Sequence, residues 1–205
     1  MHIVCSDLEG VFVPEIWINV ARITGIEELR LTTRDIADYD VLMRKRLDLL
    51  DANGLTLPDI QGVIATMAPL EGAVEFLDWL RARTRLIIVS DTFVEFADPL
   101  IAKLKRPTLF CNSLDVAPGG RIAGYRLRQQ DGKRKVVEGL QRMNFEVVAM
   151  GDSYNDITML QRAQKGILFR PPENVVTEFP QFPVTEDFDE LKDLLRTALA
   201  ALEDD

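Results

Sequence analysis

Four short polar clusters in this chain carry side chains able to do chemistry together: Ser6-Asp7-Leu8-Glu9-Gly10, Ser90-Asp91-Thr92, Asp131-Gly132-Lys133-Arg134-Lys135 and Gly151-Asp152-Ser153-Tyr154-Asn155-Asp156. They supply carboxylates, a hydroxyl and a lysine, a set suited to acid–base or nucleophilic work and to holding a hard metal ion. Asp152 and Asp156, four residues apart, are expected on one helical face. Such a like-charged pair is unfavourable unless a cation lies near it. What is scarce narrows the chemistry further. His2 is the one histidine, so a Ser-His-Asp relay has a single candidate base. Cys5, Cys111 and His2 are too few and too scattered for a zinc site.

Each cluster also has an ordinary structural use. An Asp-x-Glu after a strand can cap or close a loop, Ser90 can cap the helix that follows it, and Lys133 can sit solvated in a first helical turn. Their joint arrangement is more specific than any one of them, because the elements between them place all four at one edge of a sheet.

Short apolar runs at Ile3–Cys5, Leu86–Val89, Thr108–Cys111, Val147–Met150 and Ile167–Phe169 read as strands buried on both faces. Helical periodicity separates them: Ala73, Phe76, Leu77 and Leu80 form one stripe, and Val136, Val137, Leu140 and Met143 another. The alternation predicts an α/β fold, a doubly wound parallel sheet whose ligands bind beyond the strands' carboxyl ends. Two segments interrupt it. Residues 14–68, with apolar spacing at Ile16, Val20, Ile23, Val41, Leu42, Leu47 and Leu50, read as an inserted helical cap between Pro14 and Pro69. The core domain is then 1–13 together with 69–205. Leu114–Leu127, with Pro118-Gly119-Gly120 at its centre, predicts a β-hairpin, and Phe188–Leu202 a closing amphipathic helix.

The 205 residues carry 24 Lys+Arg against 33 Asp+Glu, a net charge of -9, which argues against general nucleic-acid binding. No stretch reaches the ~18 apolar residues of a membrane span, and no basic and apolar leader pattern opens the chain. Two cysteines 106 positions apart form no disulfide framework, and the expected compartment is the cytoplasm. Monomer and homodimer are both compatible with the sequence.

The ordered clusters resemble the haloacid dehalogenase (HAD) superfamily of phosphatases and phosphotransferases across essentially the whole chain. Asp7-Leu8-Glu9-Gly10-Val11 matches its first motif, Ser90 the second, Lys133 the third and Gly151-Asp152-x-x-x-Asp156 the fourth. Glu15, the Met43-Arg44-Lys45-Arg46-Leu47 run and the Ser153-Tyr154-Asn155 sequence resemble the phosphoserine phosphatases. Within these they are most similar to the bifunctional ThrH-type branch that also transfers phosphate to homoserine. Two departures stand out. Glu9 occupies a position where the superfamily usually has Asp, one methylene shorter, and Ser90 is followed by Asp91 rather than glycine.

The resemblance implies a mechanism. Asp7 attacks phosphorus to form an aspartyl-phosphate, and Glu9 protonates the leaving oxygen and then activates the acceptor. Mg²⁺ is held by Asp7, the Glu9 backbone carbonyl and Asp152, with Asp156 behind them. Ser90 and Lys133 bind the phosphoryl oxygens. Glu15 faces the substrate amino group, Arg46 pairs with its carboxylate, and Asn155 and Asp91 lie near the substrate. Arg44 is the alternative to Arg46. A HAD phosphatase for another small ester, or a phospho-ligand-binding module weakened at Glu9, are the competing readings.

Overall fold

The protein is described here from a computed structural model covering residues 1–32, 35–36 and 38–203. Its strands are β1 (His2–Ser6), β2 (Arg85–Phe93), β3 (Leu109–Val116), β4 (Ile122–Arg126), β5 (Glu146–Gly151), β6 (Lys165–Phe169) and β7 (Val184–Thr185). Among the described residues these seven form one sheet in the order β4-β3-β2-β1-β5-β6-β7, with β4 antiparallel to β3 and the other neighbours parallel. The first strand therefore lies at the centre, Val4 pairing with Leu86 on one side and Val148 on the other. Both of its faces are covered, which is why its middle residues Ile3-Val4-Cys5 are all apolar: Val4 enters one core cluster, Ile3 and Cys5 the other.

The connections wind in both directions from β1. Among the described residues, four α-helices join it to β2: α1 (Ile16–Thr24), α2 (Tyr39–Ala52), α3 (Leu57–Thr66) and α4 (Ala73–Arg81). They are followed by α5 (Val94–Lys103), α6 (Gly132–Arg142), α7 (Ile157–Arg162), α8 (Glu173–Glu178) and α9 (Phe188–Glu203). One face of the sheet is covered by α4, α5 and α9, where Phe76 stacks on Phe188 at 4.8 Å; the other is covered by α6, α7 and α8. Where the chain departs toward α1 and comes back toward α4, the Leu70 N–H donates to the Phe12 carbonyl at 2.9 Å. The intervening helices bury Val20, Leu29, Met43, Ile60 and Ile64 in the same cluster as Val4 and Ile88 of the sheet. No helix among the described residues is long and apolar enough to cross a membrane.

Several local expectations change. Ile23 and Val41 are exposed, because the inward face of α1 is Ile16, Val20 and Ala21 and that of α2 is Leu42, Met43, Arg46 and Leu50. Met143 is 62% exposed, since α6 ends one residue earlier. Cys111 lies inside β3 rather than at its end, because that strand continues past its pairing with β2 to form the hairpin with β4. Ser90 does not cap the next helix. The strand runs on through Phe93, with a register shift after Val89, and Phe93 occupies the cap position of α5.

Candidate active site

Beyond the carboxyl end of β1, Asp7 is 4% exposed, and its Oδ1 accepts from the Leu8 N–H at 2.7 Å. Its Oδ2 lies 2.9 Å from Lys133 Nζ, which donates to Asp156 Oδ1 at 2.6 Å and lies 3.8 Å from Asp91 Oδ2. Lys133 is not a solvated first-turn residue. It is 3% exposed, directed inward from the start of α6 among three carboxylates: Asp7 after β1, Asp91 within β2 and Asp156 in the turn after β5.

Asp152 and Asp156 come together differently from the expected helical face. A short 3₁₀ turn, Tyr154–Asp156, follows β5, and Asp156 folds back so that its Oδ2 accepts from the Asp152 and Ser153 N–H groups at 2.9 and 3.1 Å. Both oxygens of Asp156 are thus occupied, one by the loop and one by Lys133. Glycine is required at two points of this packing. A Cβ on Gly10, whose φ is +74°, would lie 2.4 Å from the Asp152 carboxylate, and one on Gly151 would lie 2.3 Å from Asp156 Cγ.

Charge in this floor is unbalanced. Oxygens of Asp7, Asp152 and Asp156 fall within 4.8 Å of one another, against one ammonium. Burial, then the neighbouring Asp156, holds the Asp7 carboxyl well above its usual range, and the same two causes push Asp152 up to about 7. Burial acts to lower Lys133, but Asp156, Asp7 and Asp91 outweigh it and hold the ammonium well above its ordinary value. A cluster of hard oxygen donors short of positive charge fits a divalent cation such as Mg²⁺. Asp7, Asp152 and Asp156 could each offer one oxygen to such an ion, Asp7 and Asp156 while also in contact with Lys133.

Above this floor is a cavity of about 290 Å³ lined by Asp7, Glu9, Glu15, Trp17, Arg46 and Ser90 among others. Glu9 Oε2 accepts from the Ile16 N–H at 2.8 Å, tying the loop after β1 to the start of α1. Burial, then the Glu15 carboxylate with which it shares a hydrogen bond, pushes Glu9 up to about 8. Arg46 is 7% exposed, and its guanidinium lies 4.6 Å over the Trp17 ring. Its Nη2 donates to the Leu31 carbonyl at 2.8 Å, while its buried Nε has no partner. Burial lowers its pKa to about 10. Arg44 faces the other way, exposed on the outer side of α2 beside Val41 and Asp48.

The remaining candidates converge as well. Ser90 is buried, its Oγ accepting from the Thr92 N–H at 3.2 Å. Asn155 Nδ2 donates to Asp91 Oδ2 at 3.1 Å, joining the loops after β5 and within β2. Sequence reading missed Tyr39 and Asn112, whose side chains both donate to the Asp91 carbonyl, at 3.4 and 2.9 Å. Signals for both existed. Tyr39, Met43 and Arg46 share one helical face, and Asn112 is the polar residue that directly follows the apolar run Leu109-Phe110-Cys111.

Comparison with known proteins gives the family and the fold. The haloacid dehalogenase-like hydrolase family model matches residues 18–161, a span that holds Ser90, Lys133 and Asp152 and begins after Asp7. The chain is 57% identical over 192 residues to phosphoserine phosphatase ThrH of Pseudomonas aeruginosa, covering 94% of each. It is 29% identical over 163 residues to a phosphoserine phosphatase of Methanocaldococcus jannaschii, covering 73% and 76% of the two chains. A crystal structure of an apo phosphoserine phosphatase superposes with a TM-score of 0.77 at 24% identity, over 94% of this chain and 98% of that one. The chain belongs to the haloacid dehalogenase-like hydrolases, and it has their fold.

Proposed function

We propose that this hydrolase is a Mg²⁺-dependent phosphoserine phosphatase acting through an aspartyl-phosphate on Asp7, and that it also passes the phosphoryl group to homoserine. Residues 14–68 serve as the cap over a core of 1–13 and 69–205, in a cytoplasmic enzyme whose two cysteines are free. The observation that supports this reading is that one small cavity is lined by both Asp7 and Arg46, which the reading takes as nucleophile and carboxylate-binding fork.

Asp7, Asp152 and the Glu9 backbone carbonyl would hold Mg²⁺, which when bound neutralises phosphoryl charge. Lys133, already seated between Asp7 and Asp156, supplies the remaining positive charge, and Ser90 offers a donor to a phosphoryl oxygen. Asp7 attacks phosphorus as the serine oxygen departs. Glu9, with a pKa raised to about 8, is protonated at neutral pH and so can give that oxygen its proton. The resulting carboxylate then takes a proton from water, or from the homoserine hydroxyl, as it attacks the aspartyl-phosphate. Because attack must be in line, homoserine occupies the place serine has left, where Glu15 faces its amino group and Arg46 its carboxylate. Asp91 and Asn155 brace the cavity wall.

The test is phosphate release from phosphoserine with and without Mg²⁺ and homoserine, with phosphohomoserine measured alongside. Mg²⁺-dependent release, diverted in part to phosphohomoserine, is expected. Release no faster than in the Asp7→Asn variant, or faster release from sugar phosphates and mononucleotides, would overturn the reading.

A further inference from the structure

We infer that Trp17 is a positioning residue for substrate selection, its ring holding the Arg46 guanidinium at the cavity and out of ion pairs with Glu9 and Glu15, so that a ligand carboxylate can engage it. The inference rests on the reading of Arg46 given above and adds how that arginine is kept ready. Arginine has a long, flexible stem, and a buried guanidinium beside carboxylates would ordinarily turn toward them. Here Glu9 and Glu15 line the same cavity. Among the described residues neither forms an ion pair with Arg46. Three contacts hold the guanidinium instead: the Trp17 face at 4.6 Å, the Leu31 carbonyl at 2.8 Å and the weak Met43 Sδ contact at 3.7 Å.

The ring is itself fixed from the core. Trp17 meets Phe96 edge-on at 5.5 Å, and Phe96 meets Phe93 in the same manner at 5.7 Å, so a line of aromatic rings runs from the end of β2 to the cavity wall. Stacking restrains tilt without using an N–H donor, and Nη2 is held by the Leu31 carbonyl and Nη1 by the Met43 sulfur. The cost is a buried Nε–H without an acceptor, which a substrate carboxylate would supply. Without the ring, Arg46 is expected to swing toward Glu9 and Glu15, quenching the subsites for the carboxylate and the amino group together.

The experiment compares Trp17→Leu, Trp17→Phe, Arg46→Ala and the Trp17→Leu/Arg46→Ala double variant, each in the full chain with Mg²⁺. Phosphoserine is set against phosphoethanolamine, which keeps the phosphate and amino group and lacks the carboxylate. Trp17→Leu should lower the phosphoserine-to-phosphoethanolamine ratio of kcat/KM about tenfold, mainly through KM. Trp17→Phe should recover most of it, and the double variant should be no worse than Arg46→Ala alone. A folding defect lowers both substrates and leaves the ratio unchanged, so an unchanged ratio in Trp17→Leu overturns the inference, as does full additivity in the double variant. If Arg46→Ala itself leaves the ratio unchanged, the reading of Arg46 fails first, and the role of Trp17 falls with it.

Discussion

The floor and the roof of the cavity are built on opposite principles. In the floor, Asp156 uses both oxygens and Lys133 touches three carboxylates, so removing any partner strands a buried charge. In the roof, Arg46 keeps a buried donor unpaired, and Glu9 sits against Glu15 with its proton retained. The floor is wired to itself; the roof holds capacity in reserve. A group that must stay in place through two phosphoryl transfers gains from complete pairing, whereas a group that recognises a ligand must leave something for the ligand to satisfy.

This contrast can be broken by experiment. The largest effect is expected from Asp7→Asn, which removes the nucleophile while keeping the shape: turnover should fall at least about a thousandfold, with no phosphate trapped on the protein by intact mass. Lys133→Met should come next, costing about 3–5 kcal/mol in urea unfolding as well as activity, because it leaves Asp7 and Asp156 buried without their cation. Arg46→Met should behave in the reverse sense. It removes an unpaired buried donor, so stability should change by less than ~1 kcal/mol while KM for phosphoserine rises roughly tenfold to a hundredfold. If Arg46→Met destabilises as much as Lys133→Met, the contrast between roof and floor is wrong. Arg44→Ala, on the outer surface, should change KM less than about twofold.

A smaller effect tests the charge imbalance. Asp152 and Glu9 are raised in the folded chain to about 7 and 8 from ordinary values of 3.8 and 4.5. Between those limits the folded state binds more protons than the unfolded one. The contribution of these two groups to the stability of the metal-free protein is therefore fully present below about pH 4 and is lost as pH rises through 7 to 8. With EDTA, Tm should fall by roughly 5 °C between pH 5 and 8, and the rise on adding Mg²⁺ should be larger at pH 8 than at pH 5. A metal-free Tm that climbs across this window would count against the raised carboxyls.

How much of this was readable beforehand differs between elements. The strands at Ile3–Cys5 and Val147–Met150 were legible because burial on both faces leaves only apolar residues. The polar clusters were legible because chain polarity changes abruptly where such a strand ends. Ser90 was less so: the register shift after Val89 is a property of the pairing with β3, which local sequence does not encode. Asp152 and Asp156 were correctly coupled in sequence but through the wrong geometry, since four-residue spacing fits a helical face and a folded-back loop equally well.

By itself, then, the sequence determined the α/β alternation, the order of the polar clusters and the scarcity of histidine and cysteine, all of which depend on residue type and short spacing. Tertiary structure alone decided which groups meet. Lys133 reaches Asp7 across 126 positions of chain because α6 begins beside the central strand. Arg46 rather than Arg44 enters the cavity because two residues along a helix turn through about 200°, and the packed face of α2 selects one of them. The raised carboxyls and the unpaired guanidinium likewise exist only in the folded chain, because desolvation and the distances between charges are set by packing.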